Sequence, residues 1–228
     1  MRFKWLFSLK GVEIPTLGVI IFTIVLVWSL GMILAPLSLP ANSVKDLSGE
    51  VGTIDNADIT KDMNPYAKFY YEAGDFNCHT IKERSFFING NQMPFCARDV
   101  AIFFGMALGL GIALFKTIEL KLWWLIGGLI PIGVDGTLQL FTSYESNNAL
   151  RLITGLLAGF VTTFALGYVI YDTSKMAEER RKAKLSSFEH EMMMEEPIQE
   201  EGYRTSTPES NVDNEKKLQD VEQETKTQ

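Results

Sequence analysis

Four apolar stretches punctuate the chain, at 16–39, 99–115, 122–141 and 149–171, and everything between them is polar. At 1.5 Å per residue, each makes a helix of about 24–36 Å, against a hydrocarbon core of about 30 Å. The pattern predicts an all-α integral membrane protein with four transmembrane helices. A cleaved signal peptide competes for the first stretch, because Arg2, Lys4 and Lys10 precede it. However, the run is longer than a signal core, and Leu39-Pro40-Ala41 is not a small-x-small cleavage site. An uncleaved anchor is therefore expected.

Lys and Arg set the expected orientation. They occur in the N-terminal segment 1–15, in the turn 116–121, and at Lys175, Arg180, Arg181, Lys182 and Lys184 after the last span. The link between the third and fourth spans has none before Arg151. The positive-inside rule then puts both termini in the cytoplasm and the long 40–98 segment outside. Within that segment, 65–77 reads as a short interfacial helix rich in Tyr and Phe, and Asn89-Gly90 as a tight turn. The fourth span is expected to run on into a juxtamembrane helix, 172–196, followed by a disordered acidic tail, 197–228.

Charge refines this picture only slightly. The net charge is −7, and residues 172–228 hold fifteen Asp/Glu against nine Lys/Arg, or −6 of it. The part that folds is nearly neutral and has no basic face for nucleic acid. The expected partners are membrane lipids, with other membrane proteins or a second copy of the chain beside them.

Small and polar residues recur at helical spacing on three spans: Ala101, Gly105 and Gly109; Gly128, Pro131, Asp135 and Gln139; Asn148, Arg151, Gly155, Ala158, Gly159 and Thr162. In lipid such residues report where helices meet, and the stripes predict a compact bundle. Asp135 is the most informative of them. A carboxylate within a span costs about 2.5–3.5 kcal/mol on insertion scales, so it has a partner or a task. An ion pair with Arg151 or a bundle lock through Gln139 is one reading; a catalytic carboxylate is the other. Helical rise puts Asp135 about 20 Å and Gln139 about 27 Å from Lys121, in the outer half of the span, with Arg98, Asp99 and Arg151 at the outer surface.

The remaining candidate chemistry lies in 78–99, which carries both cysteines. Cys78 and Cys96, with seventeen residues between them, suit a disulfide that would stabilise the segment by roughly 3 kcal/mol. Cys78, His79, Cys96 and Asp99 equally offer the sulfur, imidazole and carboxylate ligands accepted by zinc or another transition metal. Cys78 and His79 are adjacent rather than spaced as a chelate, so only one of them is expected to bind. His79 could alternatively serve as a base near neutral pH. No Walker loop, nucleophile elbow, HExxH helix or haem-attachment pattern occurs.

Cys78-His79, Arg84-Ser85, the Pro-Phe-Cys-Ala-Arg run at 94–98 and the Gly105-x-x-x-Gly109 pair resemble the domain of unknown function 2085 family of small prokaryotic membrane proteins. Asp135-Gly136, Gln139, Ser146-Asn147, Arg151 and Thr154-Gly155 extend the resemblance over about 75–170. Members often carry a further cysteine where this chain has Asp99. The resemblance implies a site but no assigned activity. The expectation is an outer-face metal or thiol site at Cys78, His79, Cys96 and Asp99. Asp135, Gln139, Arg151 and Arg98 would face it as catalytic groups, acting on a lipid or envelope substrate. The alternative is a non-enzymatic scaffold subunit with a disulfide-clamped loop.

Overall fold

The computed structural model describes residues 6–9, 12–115 and 121–194. The N-terminal basic residues, the 116–120 turn and the acidic tail lie outside the described residues. The described residues are mostly helical, and among them four helices are long and apolar enough to cross a membrane: α1 (Thr16–Leu37), α4 (Ala97–Phe115), α5 (Leu122–Phe141) and α6 (Asn148–Met194). Two short hairpins accompany them. One was not foreseen: β1 (Leu6–Leu9) pairs antiparallel with β2 (Val12–Pro15) immediately before α1.

The four helices have the surface expected of lipid-facing segments. Large apolar side chains stay exposed along them, among them Ile24, Val27, Trp123, Leu140 and Ile153. Lipid is as apolar as these side chains, so close packing and polar contacts, rather than apolar burial, decide which faces meet. The α4–α6 crossing is the tightest. A Cβ on Gly105 would lie 2.2 Å from the Leu156 carbonyl oxygen, and one on Gly159 would lie 2.1 Å from that of Ile102. Gly109 and Gly155 meet the facing backbone in the same way. The two small-x-x-x-small pairs thus let the helices touch backbone to backbone, and Thr163 Oγ1 donates across the gap to the Met106 carbonyl at 2.9 Å. The sequence assigned Thr162 to this face. Instead Thr162 is exposed and donates to Ala158 of its own helix, because the crossing favours the neighbouring position. Gly159→Ala is expected to destabilise the protein by about 1–3 kcal/mol in a detergent unfolding assay.

α5 is peripheral: it packs on α6 through Gly128 against Val161 and leaves most of its surface exposed. α6 continues unbroken from the span through the expected juxtamembrane segment to Met194.

Between α1 and α4, residues 38–96 fold onto one end of the bundle. This segment contains α2 (Ala57–Thr60), α3 (Pro65–Asn77), a 3-10 turn (Lys82–Arg84), β3 (Ser85–Ile88) and β4 (Asn91–Cys96). Asn64 caps α3 by accepting from the Ala67 N–H at 2.9 Å, with Pro65 at the first helical position. Asn89 and Gly90 turn the β3–β4 hairpin with φ of 56° and 71°, the positive pair that a two-residue turn needs. The main apolar cluster forms where Met32 and Ala35 of α1 meet Leu39, Val44, Leu47, Ala67, Tyr70, Tyr71, Met93 and Phe95. Trp28 joins it through ring contacts with Phe69, Tyr70, Phe95 and Phe103.

Two buried amides strap the segment in place. Asn91 Oδ1 accepts from the Ser43 and Val44 N–H groups at 2.7 and 3.0 Å, while its Nδ2 donates to the Pro36 and Pro40 carbonyls at 2.9 and 3.0 Å. Gln92 accepts from the Leu47 N–H at 3.1 Å and donates to the Thr80 carbonyl at 2.6 Å. Each of these bonds ties an amide of β4 to a backbone group outside the strand, so the pair fixes β4 relative to the end of α1.

Candidate functional site

Cys78 directly follows α3, and its N–H closes the helix on the Gly74 carbonyl at 2.8 Å. Cys96 ends β4 and immediately precedes α4. Gly74 brings the two elements together: a Cβ there would lie 1.7 Å from the Pro94 carbonyl oxygen, so α3 rests directly on the β4 backbone. As a result the Cys96 N–H donates to Cys78 Sγ at 3.2 Å. Asp99, in the first turn of α4, completes a group of three in which the ligand atoms of Cys78, Cys96 and Asp99 all lie within 4.8 Å of one another. The two sulfurs are not bonded. His79, the fourth expected ligand, is exposed and stands outside this group.

The thiols are unequal. The hydrogen bond Cys78 shares with Cys96, together with burial, pushes the Cys78 thiol well above its usual range. The same bond holds Cys96 below the usual thiol range, and the backbone N–H groups of Asp99 and Arg98 add to the effect against the cost of burial. A thiolate at a helix N-terminus is stabilised in this way, and the thiolate is the nucleophile and metal ligand.

Beside the thiols is a charged cluster. Arg98 pairs with Asp135 through its Nη2 and donates from the same atom to Gln139 Oε1 at 3.2 Å. Tyr144 donates its hydroxyl to the other Asp135 oxygen at 3.4 Å. From sequence, Arg151 is the one ion-pair partner expected for Asp135, beside a lock through Gln139. Arg98 takes that place because the first turn of α4 sits level with Asp135 and Gln139, which are one turn apart on α5. Arg151 is buried at the start of α6, where Asn148 accepts from its Nη1 at 3.4 Å and the Glu145 carboxylate stands 3.8 Å from its Nη2. Glu145 also pairs with Arg84 at 2.8 Å. Asn148 Nδ2 donates to the Ser85 carbonyl at 3.3 Å, tying α6 to β3. Arg98, Asp135, Gln139 and Arg151 are thus gathered at the same end of the bundle as the two thiols. Glu145 and Ser146 belong to this cluster and were not singled out from sequence as site residues. The signal available was their position in the one link between spans that lacks Lys and Arg.

Comparisons with known proteins cover this part of the chain. Residues 78–165 match the family described as "Predicted membrane protein (DUF2085)". An uncharacterized protein of Methanocaldococcus jannaschii is 43% identical over 100 residues, 42% of this chain and 64% of that protein. The chain therefore spans a little under two thirds of that relative's length. An uncharacterized protein of Methanothermobacter thermautotrophicus is 35% identical over 85 residues, 36% of this chain and 77% of that protein. No solved structure matches the chain. The family match runs from Cys78 through both glycine pairs of the α4–α6 crossing and includes Cys96, Arg98, Asp99, Asp135, Gln139 and Arg151. The chain belongs to the DUF2085 family of predicted membrane proteins.

Proposed function

We propose that Cys78, Cys96 and Asp99 hold a transition-metal ion, with zinc the best fit, on the extracytoplasmic face of the membrane, and that the site acts on a lipid or envelope substrate. The mutual proximity of the three ligand atoms, within 4.8 Å, carries this reading. Donor atoms around a tetrahedral zinc stand roughly 3–4 Å apart, so small side-chain rotations bring these three onto one ion. Two sulfurs and one carboxylate suit zinc better than magnesium or calcium. Three protein ligands leave one position for water or substrate, which is the arrangement of catalytic rather than structural zinc. When bound, such an ion polarises a substrate oxygen or lowers the pKa of bound water to about 7. Arg98 and Arg151 then face the substrate as cations, with Asp135 and Gln139 positioning Arg98. The extracytoplasmic placement rests on the bias of Lys and Arg toward the opposite helix ends.

Asp99→Cys tests the reading with a gain rather than a loss. A third thiolate is expected to tighten zinc binding at least about tenfold, whereas Cys78→Ser removes stoichiometric zinc. Equilibrium metal titration of the purified chain measures both. If Asp99→Cys leaves affinity unchanged and Cys78→Ser retains the ion, the site is not a metal site.

The proximity of the two sulfurs, within 4.8 Å of each other, also suits a second reading, a disulfide-clamped scaffold subunit with no chemistry of its own. In that case the wild-type chain shows a reductant-dependent mass change and carries no metal.

A further inference from the structure

Four side-chain donors in the charged cluster have no hydrogen-bond partner among the described residues: Arg98 Nε, Gln139 Nε2, Ser146 Oγ and Arg151 Nη2. Arg151 and Ser146 are only 2% and 3% exposed. A buried donor without an acceptor is costly, more so when it is charged, so four in one cluster call for an acceptor. They fall in two groups joined through the 142–148 link, whose Tyr144 donates to Asp135 of the Arg98–Gln139 group. Arg98 binds Gln139, Ser146 adjoins Glu145, and Glu145 holds both Arg84 and Arg151. Arg84 and Arg98, and with the opposite sign Cys96 and Glu145, are the charged or titratable groups that act on Arg151. The guanidiniums of Arg84, Arg98 and Arg151 thus pair with two carboxylates, Asp135 and Glu145.

We propose that this cluster seats a phosphate group, that of a lipid headgroup or of a small phosphate ester. The chemistry points to an acceptor, since guanidinium N–H, amide N–H and a free hydroxyl all donate. A phosphate offers several strong acceptor oxygens and a negative charge, and guanidinium is the side chain best matched to it. The inference deepens the reading above by naming the group its substrate carries. It rests on that reading for the neighbouring metal, while its own residues are separate from the thiols.

The test uses the full chain, purified in a non-ionic detergent with phosphate removed and a chelator present. Inorganic phosphate and dioctanoyl phosphatidic acid are the probes, dioctanoylglycerol is the control, and thermal shift and calorimetry are the readouts. Stabilisation by phosphatidic acid alone identifies a lipid headgroup; stabilisation by inorganic phosphate as well identifies a general phosphate seat. Neither probe acting, or dioctanoylglycerol acting as strongly as phosphatidic acid, overturns the proposal. Two variants keep it falsifiable without unfolding the site. Ser146→Ala removes a hydroxyl that no described residue uses, so the unliganded Tm is expected to hold while phosphate affinity falls about tenfold. Gln139→Glu keeps an acceptor for Arg98 but replaces an amide donor with a negative charge, and is expected to weaken binding about a hundredfold. Wild-type affinity in both variants contradicts the proposal. Cys78→Ser is expected to retain phosphate binding, so loss of metal alone counts against the metal site and not against this one.

Discussion

Replacing Gly74 by alanine is expected to collapse the packing of α3 on β4 and to abolish metal binding with it. The added Cβ would lie 1.7 Å from the Pro94 carbonyl oxygen and 2.7 Å from its carbonyl carbon. Both sides of the contact are backbone, so no rotamer change relieves it. β4 cannot retreat, because Asn91 and Gln92 anchor it to the chain after α1 and the Tyr71 hydroxyl donates to the Gln92 carbonyl at 2.6 Å. Moving α3 instead would carry Cys78 away from Cys96. The expected cost is about 3 kcal/mol or more, at the upper end for overpacking. Gly127→Ala is the control: nothing lies within 4 Å of the added Cβ in α5, so no loss is expected. Thermal unfolding in detergent with parallel metal analysis checks both. A Gly74→Ala protein with wild-type Tm would mean that α3 does not rest on β4 as described.

Asp135→Asn is the second large effect. The Asp135 side chain is 3% exposed and that of Arg98 21%, so the pair is largely out of water. Removing one partner leaves a mostly buried guanidinium uncompensated beside two further arginines, at an expected cost of about 3 kcal/mol. The damage should centre on α5, which otherwise packs on α6 and has its tie to α4 through this pair. The double change Asp135→Asn with Arg98→Gln is expected to recover much of the loss, since no unpaired charge is left buried. Denaturant titration of the single and double variants gives the coupling directly. An Asp135→Asn protein as stable as wild type, impaired only in its reaction, would instead make Asp135 a catalytic acid.

The helices were legible because a lipid-spanning segment must satisfy its own backbone and stay apolar over its whole length, a requirement written continuously in the residues. The glycine pairs were legible for a related reason, since close approach in lipid is reserved for small residues. Pairing was harder. Helical rise placed Arg98 and Arg151 together at the outer surface above Asp135, and depth alone cannot choose between two arginines on different helices. The choice depends on helix rotation, which the α4–α6 glycine contact sets. Asn91 and Gln92 gave no warning in sequence, because two amides following a tight turn usually face solvent. Their burial follows from the loop wrapping back over β4. The β1–β2 hairpin had one faint signal, a Lys-Gly dipeptide between two short runs, and the basic character of the segment masked it.

Native mass spectrometry of the wild-type chain, extracted from membranes without added metal or reductant, tests the central claim most directly. The account predicts one transition-metal ion per chain, released by acid while both thiols reappear free. A metal-free chain, whether with two reactive thiols or with the mass of a Cys78–Cys96 disulfide, would contradict it.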